Sequence, residues 1–129
     1  EFRIHWDGDF FNGDYVVAWA KTIRKFPEVK FWAYTRVRSA AISLNAFKLP
    51  NLSLYFSGDK ENIGTATNMS ANGIPVAMLG ENFAQAREIV GRGAMCPEQR
   101  GQIKLQGACV ACGICIKGKS NVLFSITKK

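Results

Sequence analysis

An α/β domain built on a mostly parallel sheet of about five strands is what this sequence predicts. Three observations lead there. Segments rich in β-forming residues alternate with amphipathic stretches of about 8–13 residues, the pattern of repeated βα units. A chain of 129 residues has room for one domain around one core. Its composition, 47% hydrophobic and 21% charged, is that of a globular protein rather than a disordered or fibrous one.

Phe2–Trp6 reads as the first strand, followed by the turn-rich run DGDFFNGD. Asp14 then caps a helix over Tyr15–Phe26, with Val16, Ala20, Ile23 and Phe26 at spacings of three and four, and Pro27 stops it. Val29–Tyr34 is the second strand. Ser39 caps a short helix over Ala40–Phe47, which ends before Pro50. The pattern recurs with strand Leu52–Phe56, a weaker helix Lys60–Ala71 that contains Gly64, strand Pro75–Leu79, and helix Asn82–Val90 stopped by Gly91 and Gly93. Asn121–Ile126 supplies the last strand. Residues 1–129 therefore form a single domain, with βα repeats over 1–92, a cysteine-bearing cluster-binding loop over 93–118, and a final strand and tail over 119–129. Right-handed crossovers are expected. The pattern fits an open sheet and a partial barrel equally well.

Several function classes are excluded or disfavoured by composition. No run of about 18 apolar residues exists, so no membrane-spanning helix is expected. Four cysteines in a chain of this length do not make a disulfide-stapled miniature. The start carries no cationic, apolar leader, and Glu1-Phe2 without a methionine is what a processed or trimmed chain would show.

The cysteines carry the strongest chemical signal. Cys96, Cys109, Cys112 and Cys115 are spaced C-x12-C-x2-C-x2-C, with Pro97 directly after the first. Three thiols in seven residues form a tight arc, and Cys96 can close a fourth vertex. Gly107, Gly113 and Gly118 let the backbone curl so that amides can point at sulfur. A [4Fe–4S] cluster favours such an arc plus a distant Cys-Pro. Here the distant ligand precedes the arc instead of following it. A structural zinc site remains the alternative, although zinc more often uses two separated C-x2-C knuckles. Disulfides would need an oxidising compartment to which nothing here points. Four thiolates would saturate all four irons of a cluster, which fits structural support or outer-sphere electron transfer and not substrate activation at iron.

The charge is uneven. Lys21, Arg24, Lys25, Lys30, Arg36, Arg38 and Lys48 face only Glu28 in their stretch, and Arg100, Lys104, Lys117, Lys119, Lys128 and Lys129 face no acid. Such fields attract polyanions, which makes DNA or RNA a candidate partner and Arg100, Lys104, Lys117 and Lys119 candidate contacts. Two simpler readings stand beside it: a solvated surface, and lysines that offset the negative charge of a thiolate-bound cluster.

A second group of polar residues lies at the predicted strand ends, where ligands bind in parallel α/β sheets. His5, Asp7 and Asp9 alternate and would share one side if the chain stays extended. Tyr34, Thr35, Arg36, Ser57, Asp59 and Glu81 complete this rim. No nucleophile–base pair and no phosphate-cradling glycine loop accompanies them, so no catalytic residue is assigned and His5 beside Trp6 reads as structural. The aromatics Trp6, Phe10, Phe11, Trp19, Phe31, Trp32 and Tyr34 could stack on bases, but such positions are usually core.

FRIHWDGDFFNGDYVVAWAKTIRKFPEVKFWAYTR, NLSLYFSGD and CPEQ…GACVACGICIKGKSNVLFS together resemble the gene product 88-like family of actinobacteriophage proteins, over essentially the whole chain. The resemblance implies a phage protein made in the host bacterial cytoplasm, with Cys96, Cys109, Cys112 and Cys115 as iron–sulfur ligands. It also implies a family longer at its N-terminus, and it supplies no activity. The expected function is a non-catalytic [4Fe–4S] accessory factor that touches nucleic acid through its basic surface or acts with a host or phage protein. An electron carrier or redox sensor is the alternative, followed by a zinc-binding interaction module or an enzyme using the strand-end rim.

Overall fold

The computed structural model describes residues 1–5, 7–102, 108–118 and 120–127. Trp6, Lys104, Gly107, Lys119, Lys128 and Lys129 lie outside the described residues. The elements are β1 (Phe2–Ile4), α1 (Gly13–Lys25), β2 (Phe31–Thr35), α2 (Arg38–Ala46), β3 (Leu52–Gly58), α3 (Ile63–Ala71), β4 (Val76–Gly80), α4 (Phe83–Val90), β5 (Gly93–Met95), α5 (Ala108–Cys112), α6 (Ile114–Lys117) and β6 (Asn121–Ser125). The α/β class and the βα alternation are as expected. The sheet has six strands, all parallel, in the order β1-β2-β3-β4-β6-β5, with β1 and β5 at its edges. It is open, not a barrel.

That order decides where everything else lies. From β1 to β4 each new strand is added on the same side of the last, and β5 continues in that direction. Right-handed crossovers then put α1, α2, α3 and α4 on one face. The step from β5 to β6 runs backwards, because β6 enters between β4 and β5. The same handedness therefore sends α5 and α6 to the opposite face.

The packing follows this division. On the helical face, Val16, Ala20 and Ile23 of α1 and Ala40 and Leu44 of α2 pack on Ile4, Phe31, Ala33 and Leu54. Ala66 and Met69 of α3 and Phe83, Ala86 and Val90 of α4 pack on Phe56, Val76, Met78 and Leu123. Each fully buried Val, Leu, Ile or Phe contributes about 1.5–3 kcal/mol by leaving water. The alternate strand positions Tyr55, Ala77 and Val122 point the other way, and Cys96, Ile114 and Cys115 pack against them.

Several local expectations are corrected. The α1 cap is Asn12, whose Oδ1 accepts from the Tyr15 amide at 2.8 Å, while Asp14 sits in the first turn. Helix α2 starts at Arg38 after Val37, with no side-chain cap from Ser39. The Lys60–Asn62 portion of the expected third helix is a turn, in which Asp59 accepts from the Glu61 amide and Asn62 accepts from the Asp59 amide. The first strand stops at Ile4 because His5 adopts a φ of 58°, outside extended backbone. The additional strand, β5, is three residues long and pairs Gly93–Met95 with Asn121–Leu123. Among the described residues, no helix is long and apolar enough to cross a membrane.

Candidate metal centre

Cys96 directly follows β5, and its amide extends the ladder by donating to the Leu123 carbonyl at 3.0 Å. The chain then turns back: the amides of Arg100, Gly101 and Gln102 donate to the carbonyls of Cys96, Glu98 and Pro97. Gln99 anchors this turn to the end of β6, donating through Nε2 to the Ser125 carbonyl at 2.7 Å and accepting from the Ser125 amide at 2.6 Å. The amides of Gln99 and Glu98 point at the Cys96 sulfur. Burial pushes the Cys96 thiol up nonetheless, against the lowering by those two amides.

The other three cysteines ride on α5 and α6. Gly113 joins the two helices with a φ of 70°, a left-handed conformation suited to glycine. Its amide closes the α5 turn on the Cys109 carbonyl at 2.9 Å. Gly118 ends α6 with a φ of 62°, and a Cβ there would stand 2.7 Å from Ser53 Cβ. That approach lets Ser53 Oγ donate to the Ile116 carbonyl at 2.6 Å. Two residues along β3, Tyr55 Oη donates to the Cys115 carbonyl at 3.0 Å. Tyr34 lies opposite Tyr55 in the β2–β3 register, and its hydroxyl hydrogen-bonds the Cys115 sulfur. Three hydroxyls on the open face of the sheet thus hold α6 in place.

Burial raises the Cys115 thiol pKa, Tyr34 lowers it by hydrogen bonding, and Cys96, Cys109 and Cys112 raise it electrostatically. Burial, first, and the contact with Cys115 also raise the Tyr34 hydroxyl well above the ordinary tyrosine range. The four cysteines are therefore within electrostatic reach of one another, and all carry free thiols. Cys96, Cys109 and Cys115 line one cavity of about 880 Å³ between the open sheet face and the cysteine segment. Among the described residues, no three His, Cys, Asp or Glu side chains are drawn together as a site for a single metal ion. The donors are soft thiols, three of them lining one partly apolar cavity and Cys112 on the same short helix as Cys109, a set whose chemistry fits iron–sulfur or zinc.

Of the candidate nucleic-acid contacts, Arg100 and Lys117 are exposed and flank Cys96 and Cys115 in the chain. Lys104 and Lys119 fall outside the described residues.

The strand-end rim is organised differently from the alternation its sequence suggests. His5 does not share a face with Asp7 and Asp9. Its Nε2 lies 2.6 Å from Tyr15 Oη, and its ring packs on Phe10 and Tyr15. Asp7 accepts from the Gly8 amide. The Asp9 carboxylate accepts from Thr35 Oγ1 at 2.6 Å and from the amides of Phe10 and Arg36. Arg36 donates both guanidinium arms to Asp59 at 2.8 and 3.3 Å, and Glu61 stands 3.8 Å away. These side chains tie loops to strand ends and form no nucleophile–base pair.

The residues that sequence reasoning missed are Ser53 and Tyr55. The signal was in LSLYFSG, where hydroxyl-bearing Ser53, Tyr55 and Ser57 alternate with Leu54 and Phe56. The Gln99 clamp gave no comparable signal.

The Gene product 88 family matches this chain over residues 1–118. The chain is 50% identical over 133 aligned positions to the Gene 88 protein of Mycobacterium phage D29, and 48% identical over 132 to that of Mycobacterium phage L5. Each alignment covers 99% of this chain and 55% of the relative, so the chain spans about half the length of the curated relatives it matches. No solved structure matches it.

Proposed function

We propose that this chain, which belongs to the Gene product 88 family of phage proteins, holds one [4Fe–4S] cluster through Cys96, Cys109, Cys112 and Cys115 as a closed, non-catalytic centre. The observation that supports the reading is that Cys96, Cys109 and Cys115 line one cavity on the open sheet face, the side to which the backward β5–β6 step sends α5 and α6. Bound there, such a cluster supplies a cross-link between the β5 turn and the α5–α6 segment, and a one-electron couple if a partner can reach it. The chain's own residues prepare the site. Gln99 holds the Cys96 turn to β6, Tyr34 donates to the Cys115 sulfur, and Ser53 and Tyr55 hold the α6 backbone. Arg100 and Lys117 beside the ligands offset the negative charge of four thiolates. Thiolate ligands in a phage protein would call for a reducing compartment such as the host cytoplasm.

Anaerobic purification with iron and sulfide analysis and a visible spectrum tests this. A brown protein with about four irons per chain is expected, and each single Cys→Ser change lowers the loading. A colourless protein holding only zinc would replace the cluster with the alternative metal. A reversible couple in voltammetry would move the centre from scaffold to electron carrier.

A second reading, binding of DNA or RNA, draws on the helical layer. Lys21, Arg24, Lys25, Lys30 and Lys48 are exposed, and among the described residues none of them forms an ion pair. Titration against duplex and single-stranded DNA at two salt concentrations tests it, because phosphate contacts weaken steeply with salt. Lys21→Gln with Lys25→Gln, set against Arg100→Gln with Lys117→Gln, tells the helical face from the cysteine face. No affinity at low salt would remove the reading.

A further inference from the structure

The cavity beside the cysteines is longer than a metal centre requires. Its lining runs from Arg3 on β1 to Cys96 after β5, and those edge strands are five strand spacings apart, roughly 24 Å at about 4.8 Å each. Its volume of about 880 Å³ lies within the range of small-molecule pockets. The cysteines and Glu98 occupy one part of the wall. The β1–β2 end is made instead by Arg3, Trp32, Tyr34 and Ser57, with Leu79 and Phe124 as apolar walls between.

Trp32 makes this end unusual. Only 6% of its surface is exposed, yet its indole N–H, buried within the protein, has no hydrogen-bond partner among the described residues. A buried donor left unmade is costly, and native structures satisfy nearly all of them. Arg3, opposite Trp32 in the β1–β2 register, brings its guanidinium 5.1 Å above the Tyr34 ring. Positive charge, an indole N–H and the Ser57 hydroxyl are all donors, and they meet aromatic and aliphatic walls. Among the described residues, the carboxylate lining the cavity is Glu98, which acts electrostatically on Cys96 at the far end. Among the described residues Arg3 is the cation that lines the cavity, while the exposed Arg100 and Lys117 stand near Glu98 and the cysteines in the chain.

We propose that the β1–β2 end of this cavity is a binding site for a small carboxylic acid with a flat, apolar body. The carboxylate is held by Arg3 and the Trp32 indole N–H, and the body lies along Tyr34 towards Phe124. The site does not need the cluster, so the two readings fail separately: a colourless protein that still binds the acid would sink only the cluster.

The test uses 2-naphthoate and its uncharged twin 2-naphthamide as probes of the purified protein, followed by calorimetry and tryptophan fluorescence. One saturable site per chain is expected, with naphthoate at least about tenfold tighter than naphthamide, since hydrogen bonds to charged groups are the stronger ones. Arg3→Met erases that preference, and Trp32→Phe weakens naphthoate by about tenfold while keeping the aromatic wall. Circular dichroism checks that each variant is folded. If Trp32→Phe unfolds the protein, Arg3→Met and Ser57→Ala carry the test. No saturable binding, equal affinity for the two probes, or unchanged affinity in the folded variants would overturn the proposal.

Discussion

The two faces of this sheet are built by different physics. On the helical face, α1 to α4 bury Ile23, Leu44, Phe56, Met69, Met78 and Leu123 almost completely, and the contacts are apolar and close-packed. On the other face, α6 lies between two left-handed glycines and is held by three hydroxyls, and a glutamine clamp holds the Cys96 turn to β6, beside a large cavity. The first arrangement supplies most of the apolar core. The second buries Tyr55, Ala77 and Val122 and sets donors, thiols and aromatic rings around a cavity. The main apolar core and the proposed centre thereby lie on opposite sides of the same strands, sometimes at adjacent residues such as Phe56 and Tyr55.

If that division holds, damage to one face should spare the other. The largest effect belongs to the helical face. Phe56→Ala is expected to lose about 3–5 kcal/mol of global stability, read by chemical denaturation, while the folded fraction keeps its metal content per chain. Equal loss of metal would show that the two faces are coupled. Next comes Gly118→Ala, which forces a left-handed φ on a residue with a Cβ and drives that Cβ against Ser53. A cost of about 1–3 kcal/mol is expected, together with lower metal loading, because α6 must move away from the sheet.

Tyr55→Phe sharpens the comparison further. It keeps the ring and removes the hydrogen bond to the Cys115 carbonyl, for about 0.5–1.5 kcal/mol. The metal should become more easily removed by a chelator, with a far smaller change in the global unfolding midpoint than Phe56→Ala gives. The smallest effect belongs to the rim. Arg36 holds the Asp59 carboxyl below the usual carboxylate range, first through their hydrogen bond. A depressed folded-state value means stability that is present above the unfolded carboxyl value near about 3.9 and is lost as pH falls through the folded one. Arg36→Met should therefore be less stable than the parent at neutral pH by under about 1 kcal/mol, the worth of an exposed pair. The difference should vanish in acid, and denaturation curves at two pH values would show it.

The helical face was largely legible in the sequence. Val16, Ala20 and Ile23 announce α1 by spacing alone, and Asn82 begins α4 as expected, accepting from the Gln85 amide at 2.8 Å. Propensity could not find β5, since Gly93-Ala94-Met95 becomes a strand only when Asn121–Leu123 lies beside it. The φ of His5 was equally hidden, and it dissolved the apparent row of His5, Asp7 and Asp9. The spacing of the four cysteines was visible, but the face that Cys96, Cys109 and Cys115 occupy was not. That depends on strand order, a tertiary property. Tyr34 read as a rim residue or a core aromatic, and Tyr55 drew no reading of its own; both rings are packed, and only the sulfur and carbonyl they reach give them a further part.

The position of β6 has a practical consequence for anyone shortening the chain. The family match ends at residue 118, whereas Asn121–Ser125 forms the interior strand that joins β4 to β5. Trimming to that boundary would open a gap in the middle of the sheet, orphan the edge strand that carries Cys96, and free Gln99 from its anchor. A shortened chain that keeps β6 and its ties to Gly80 and Glu81 runs at least through Thr127, whose amide and hydroxyl donate to the Glu81 carbonyl.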